Sequence, residues 1–350
     1  MITDKLRDKC RGSLVGGAIG DAFGYPVEFV NSFEEIRAIY GDNGIVEYDL
    51  SYTWLEETSD VALFSDDTQM TLYTAEGLLE SEKNGVPLIP TICNAYLAWL
   101  GPQIGKKEKI SYKSELAQIK ELNRRRAPGN TCLTSLFSIY SGKEPRNTSK
   151  GCGGVMRVAP IGLYGAAHGW SLEKTAKLAG ESAELTHLHP LSTYSSAMLA
   201  VLCQIFCTTE CVTKSTIKEC VKLTFTVLDL IYGADAPAMD DFKKIIWKAI
   251  QLEDKLLQDW EVIENRLGGG WVAEETLAIA LFSVIRHIDD FKACMICAVN
   301  HGGDSDSTGA VAGNLIGAIR GNNDIPDYFK DNIQLKDLLI SMADRLSDKQ

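Results

Sequence analysis

Two short acidic stretches, Ser65-Asp66-Asp67-Thr68 and Asp304-Ser305-Asp306-Ser307-Thr308, hold the residues best suited to chemistry. The first has a plain explanation when taken alone. An apolar helical pattern through Met70, Tyr73 and Leu78 starts at once, so Ser65 reads as an N-cap and the carboxylates as favouring the positive helix end. The second is harder to explain that way. Two carboxylates at i and i+2, flanked by three hydroxyls, repel unless a cation or a shared proton joins them. Asp304, Asp306, Thr308 and Gly309 match positions 1, 3, 5 and 6 of an EF-hand loop, but position 12 is Leu315 instead of the bidentate Glu, which excludes that reading. Oxygen donors without thiolate or imidazole point to Mg²⁺ or Mn²⁺ before Zn²⁺. Four carboxylates with hydroxyls from two distant stretches suffice for two ions, an arrangement suited to metal-assisted hydrolysis.

The elements that must position these groups read as helices. Apolar residues recur at helical spacing over 67–83, 92–100, 114–125, 171–185, 192–207, 214–232, 240–260, 274–288 and 289–300. Alternating runs are rare, and 44–49 is the best strand candidate. With no fixed-period repeat and no long Pro/Ser/Gly linker, the expectation is one all-α domain over residues 1–350 with about a dozen helices. Glycine clusters at 16–20, 151–154, 268–270 and 302–303. One cluster is explained by a helix C-cap; four read as Gly-rich loops that let backbone approach a ligand.

Composition narrows the partners. The 350 residues carry 35 Lys+Arg against 47 Asp+Glu, a net charge of −12, which disfavours nucleic acid or an anionic membrane surface. Residues 1–12 mix both charges and lack the apolar stretch of a signal peptide, and no unbroken apolar run reaches the ~20 residues of a membrane span. A cytoplasmic protein is expected. The ten cysteines are too sparse for a disulfide scaffold. Cys203, Cys207 and Cys211 fall on one helical stripe and read as core, as does the lone Cys294-x-x-Cys297 pair. Lys106 to Arg126 holds eight Lys/Arg against three Glu, a solvated face or a docking patch.

Taken in order, 16–24 (GGAIGDAFG), Ser65-Asp66-Asp67-Thr68, 151–157 (GCGGVMR), Thr186-His187 and 301–308 (HGGDSDST) resemble the ADP-ribosylglycohydrolase family over nearly the whole chain. The resemblance implies an all-α orthogonal multi-helix bundle with a binuclear Mg²⁺ or Mn²⁺ site. By matching position, Ser65, Asp66 and Asp67 would bind one metal, Asp304 and Ser307 the other, and Asp306 both. Asp66, Asp67 and Asp304 would be catalytic. Gly151, Gly153, Gly154, Val155 and Met156 would wrap the distal ribose and diphosphate, with His187, Gly270 and Trp271 as further substrate contacts. Glu28 matches a loop glutamate that reaches the metals. The implied reaction is removal of ADP-ribose from a protein side chain, arginine first among acceptors. It would serve regulation or immunity to an ADP-ribosylating toxin, with a cognate ADP-ribosyltransferase as a possible partner. Two other readings are an ADP-ribose-binding module without turnover and a protein that blocks a transferase by occlusion.

Overall fold

The computed structural model describes residues 4–52, 57–105, 112–252 and 256–348. These form helices α1 (Asp4–Gly24), α2 (Phe33–Tyr40), α3 (Asp66–Asn84), α4 (Leu88–Gln103), α5 (Asn130–Tyr140), α6 (Ala159–His168), α7 (Leu172–Glu184) and α8 (Pro190–Thr208). The second half adds α9 (Lys214–Tyr232), α10 (Met239–Gln251), α11 (Asp259–Val262), α12 (Ala273–Arg286), α13 (Phe291–Val299), α14 (Ser305–Arg320), α15 (Asp327–Asp331) and α16 (Lys336–Ser347). Strand pairing among the described residues is confined to β1 (Ser51–Tyr52) against β2 (Glu57–Thr58), so the fold is all-α, and the expected strand at 44–49 does not form.

Helix α8 lies at the centre. It is long and apolar enough to cross a membrane, yet nearly all of it is buried against α6, α7, α9, α12 and α14. Cys203 and Cys207 pack there as expected, whereas Cys211 lies beyond the helix and is exposed. Two of the expected helices are interrupted. Residues 114–125 hold only the 3-10 turns Leu116–Gln118 and Glu121–Asn123, because Glu76 takes the Ser114 hydroxyl and the Leu116 N–H, and the Asn123 amide donates to the carbonyls of Ala117 and Ile119. The 240–260 pattern splits between α10 and α11, with 253–255 outside the described residues.

The largest correction concerns glycine. The 16–20 cluster is not a loop; it lies inside α1, which packs antiparallel to α14, with its small residues 309–313, along most of its length. Gly12, Gly16, Gly20 and Gly24 face Gly317, Gly313, Gly309 and Ser305. A Cβ at Gly12 would stand 2.5 Å from the Gly317 carbonyl oxygen, one at Gly16 2.6 Å from that of Gly313, and at Gly20 and Gly309 the overlap is worse. Each glycine costs helix propensity of roughly 1 kcal/mol, offset here by backbone-to-backbone packing that no side chain permits. Ser13 and Asn314 add a reciprocal clamp. The Ser13 hydroxyl donates to the Asn314 carbonyl and the Asn314 amide to the Ser13 carbonyl, both at 2.8 Å. This seam fixes where Asp21 and the Asp304–Ser307 stretch stand.

Candidate active site

Ser65 caps α3 by accepting from Asp67 N at 3.2 Å, which puts Asp66 and Asp67 in the first turn. Asp21, from α1, holds that turn from below. Its carboxylate accepts from Ser65 N (2.8 Å), Thr68 N (2.9 Å) and the Thr68 hydroxyl (2.5 Å). The second acidic stretch is likewise a helix start and not the expected loop. Asp304 occupies the N-cap position of α14, with Asp306 and Ser307 in its first turn. Gly269 O accepts from Asp304 N at 2.8 Å, and Thr308 Oγ1 is bonded to His301 Nε2 (3.0 Å) and Ala298 O (2.8 Å).

The two helix starts meet. The Ser307 hydroxyl donates to Asp67 Oδ2 at 2.7 Å, and the Asp306 carboxylate lies within hydrogen-bond reach of Ser65 and Asp304. Glu28, just past the 3-10 turn Tyr25–Val27, comes from a third side. Glu28, Asp304 and Asp306 each offer an oxygen within 4.8 Å of the others'. None of the ion pairs among the described residues involves Asp21, Glu28, Asp66, Asp67, Asp304 or Asp306, and all six are buried. Burial raises every one of their pKa values, and in all but Asp306 repulsion from neighbouring carboxylates adds to it, putting Asp66, Asp67 and Asp304 well above the usual carboxylate range and Asp21 at about 7. Glu28 Oε2 and Asp304 Oδ2 have no hydrogen-bond partner. Buried oxygens left unpaired in a cluster of like charge call for a cation, and an all-oxygen set with two serine hydroxyls fits hard divalent ions.

Above this floor opens a cavity of about 460 Å³. Glu28, Asp66, Asp67, Asp304, Asp306 and Ser307 line it, together with Gly151, Gly153, Met156, His187 and Trp271. Four sequence-expected residues are placed otherwise: Ser65 is fully buried beneath the floor as the cap of α3 and does not line the cavity. Gly154 packs on Ser192 and Ala183, Val155 is fully buried in the core, and Gly270 lies behind Trp271 against Asp304, its N–H bonded to Glu275. Glycine is required at 153, where a Cβ would be 2.7 Å from the His187 ring. His187 is held neutral, its pKa lowered to about 3 by burial and then by nearby Arg157. The Thr186 hydroxyl, itself accepting from Arg157 at 2.6 Å, pairs with Nδ1 at 2.8 Å, which leaves Nε2 beside Gly151 and Gly153 at the cavity wall.

Sequence reasoning left four contributors unnamed. Asp21 stood inside a recognised motif, and an acid amid small apolar residues was its signal. Cys152 presents its thiol to Asp304. Phe29 stacks on Trp271 at the rim, ring centroids 6.2 Å apart. The wall 127–132 follows the basic segment: Arg125 lines the cavity, the Arg126 carbonyl accepts from Asp66 N at 2.9 Å, and Ala127 takes φ +50°. The start of that segment, 106–111, lies outside the described residues.

The structure is thus an all-α scaffold that converges two acidic helix starts on one cavity. Comparison with known proteins gives the family: the ADP-ribosylglycohydrolase model matches residues 2–350, and the chain belongs to that family. It is 26% identical to the ADP-ribosyl-[dinitrogen reductase] glycohydrolase of Rhodospirillum rubrum over 96% of this chain and 94% of that one. It is 22% identical to an ADP-ribosylarginine hydrolase of Serratia proteamaculans over 97% and 79% of the two chains. A solved structure titled ADP-ribosylglycohydrolase-related protein complex shares the fold, with a TM-score of 0.69, 23% identity and 99% of each chain covered. Membership supports glycohydrolase activity that removes ADP-ribose from modified substrates, in a family that is generally metal-dependent.

Proposed function

We propose that this chain is a binuclear Mg²⁺- or Mn²⁺-dependent hydrolase that removes ADP-ribose from modified arginine side chains. The observation that carries the reading is the convergence of Glu28, Asp66, Asp67, Asp304, Asp306 and Ser307 at the floor of one cavity, with Ser65 just beneath them in reach of Asp306. Ser65, Asp66 and Asp67 would hold one ion, Asp304 and Ser307 the other, and Asp306 both. Ions bound there supply charge stabilisation, orientation of the ribose diol and a more acidic water. The chain's own residues do the rest. The C1″–N bond breaks through an oxocarbenium-like state as the water oxygen bonds to C1″, Asp66 or Asp67 taking the water's proton; the departing guanidine leaves with the bond pair and gains one proton, which balances the one the water loses. Nε2 of His187 and the backbone of Gly151 and Gly153 would face the ribose and diphosphate, where the absence of a Cβ allows close approach.

Support for arginine comes from the Serratia relative and from the rim pair Phe29 and Trp271, whose faces suit a guanidinium. The same reading takes residues 1–350 as one catalytic unit acting in the cytoplasm, reversing the product of an ADP-ribosyltransferase. The test is hydrolysis of arginine- and serine-linked ADP-ribosyl peptides with Mg²⁺, with Mn²⁺ and with EDTA. Release from the arginine peptide that EDTA abolishes is expected. Equal or greater release from the serine peptide overturns the acceptor, and full activity in EDTA overturns the metals.

A further inference from the structure

A second group of ligating side chains lies outside the cavity and plays no part in the reaction above. Asp259 at the start of α11, His287 just after α12 and Cys297 in α13 bring a carboxylate oxygen, an imidazole nitrogen and a thiol sulfur within 4.8 Å of one another. His287 Nε2 is 2.7 Å from Asp259 Oδ2, and Arg286 Nε donates to the other oxygen, Oδ1, at 2.5 Å. Cys297 is buried beside Asp259 and Ser283. A separate cavity of about 400 Å³ reaches Asp259 and Cys297 from the surface, bounded also by Trp260, Arg286 and Asn300.

We propose that Asp259, His287 and Cys297 form a three-ligand site for a borderline-soft divalent ion of the zinc class. The donor set decides the class. Sulfur and imidazole nitrogen select zinc over magnesium, the opposite of the all-oxygen floor beneath the main cavity. Ligand atoms on a tetrahedral zinc stand roughly 3.3–3.6 Å apart, so the pair at 2.7 Å opens by well under 1 Å when the ion replaces the proton between them. The thiol proton leaves to solvent and His287 carries its remaining proton on Nδ1, giving thiolate, neutral imidazole and carboxylate. Arg286 then orients the carboxylate through Oδ1, and the fourth position opens on the cavity.

The site would lock three elements together, and what they hold explains its use. The π-helical turn Ile263–Leu267 continues directly from α11. Within it, Glu264 Oε1 accepts from Phe33 N at 2.6 Å and from Gly302 N at 2.9 Å. Trp260 stacks on Phe33 with ring centroids 5.0 Å apart. Pinning α11 to α12 and α13 therefore braces both the segment after Glu28 and the turn that delivers Asp304.

The test uses the full chain, stripped with a chelator and then saturated with Mg²⁺ so that the oxygen site is occupied. Titration with Co²⁺ should give a near-ultraviolet thiolate-to-cobalt charge-transfer band that ends at one equivalent and is competed away by Zn²⁺. The band should vanish in Cys297→Ser and weaken in affinity at least about tenfold in His287→Gln, whose partly exposed position spares the fold. It should persist in Cys152→Ser and Asp306→Ala, which separates this site from the catalytic one. No thiolate band in the wild-type chain, or a band that survives Cys297→Ser, overturns the proposal.

Discussion

The starts of α3 and α14 present similar groups to one centre but are held by different means. At α3 the main support is a side chain: Asp21 takes three donors of the Ser65–Thr68 turn, beside one backbone bond from Asp66 N to Arg126 O. At α14 it is chiefly backbone, with Gly24 pressed on Ser305, Gly20 on Gly309 and Gly269 O on Asp304 N, beside the Thr308–His301 side-chain bond. A side-chain support can be weakened in steps by isosteric change. A backbone support accepts no additional atom, so damage there reaches the whole fold before it reaches the chemistry.

Asp306→Ala removes the group that both helix starts share and should cost the most, about 10³-fold in kcat/KM together with loss of bound metal by elemental analysis. Wild-type turnover at wild-type metal content would break the binuclear reading. Gly309→Ala tests the backbone support. Its Cβ meets the Gly20 backbone, and urea unfolding should show a loss of about 3 kcal/mol. Gly85→Ala is the control at a helix end with open space and φ +61°, and should lose only about 1 kcal/mol. Asp21→Asn tests the side-chain support, with an expected loss of about 2 kcal/mol and a fold that survives. If Asp21→Asn proves the more damaging of the two, the contrast between the supports is inverted.

Acidity sharpens the same contrast. Carboxylates whose folded pKa lies above the unfolded value bind more protons folded than unfolded, so their contribution is complete below about pH 4 and is lost as pH rises through the folded values, about 7 for Asp21. The metal-free protein should thus melt lower at pH 8 than at pH 5, and excess Mg²⁺ should flatten or reverse that trend. The smallest effect is expected from His187→Gln: a severalfold rise in KM with kcat nearly unchanged. With its pKa near 3, no His187 inflection should appear in the pH profile near neutrality.

The acidic groups were legible in the sequence because ligation needs particular residue types at short spacing, and each stretch is local. Ser65 was legible as a cap for the same reason. The glycines of α1 and α14 were not, since glycine disfavours helix and only the partner helix, some 300 residues away, reverses that preference. The 114–125 pattern looked helical, but Glu76 and Asn123 had already claimed its backbone groups. Gly154 and Val155 share a motif with Gly153 yet face the core, because a tight turn sends neighbours in different directions. Asp259, His287 and Cys297 are too far apart in sequence to suggest a cluster before folding joins them.

The glycine seam between α1 and α14 also sets a schedule. The Ser13–Asn314 clamp closes a loop of 301 residues, so the acidic centre has no floor until α14 has left the ribosome and docked on α1. An emerging chain therefore carries one acidic helix start without its counterpart. On the proposed reading, competence to bind ions and to cut a glycosidic bond arrives late and all at once, as a property of the completed seam.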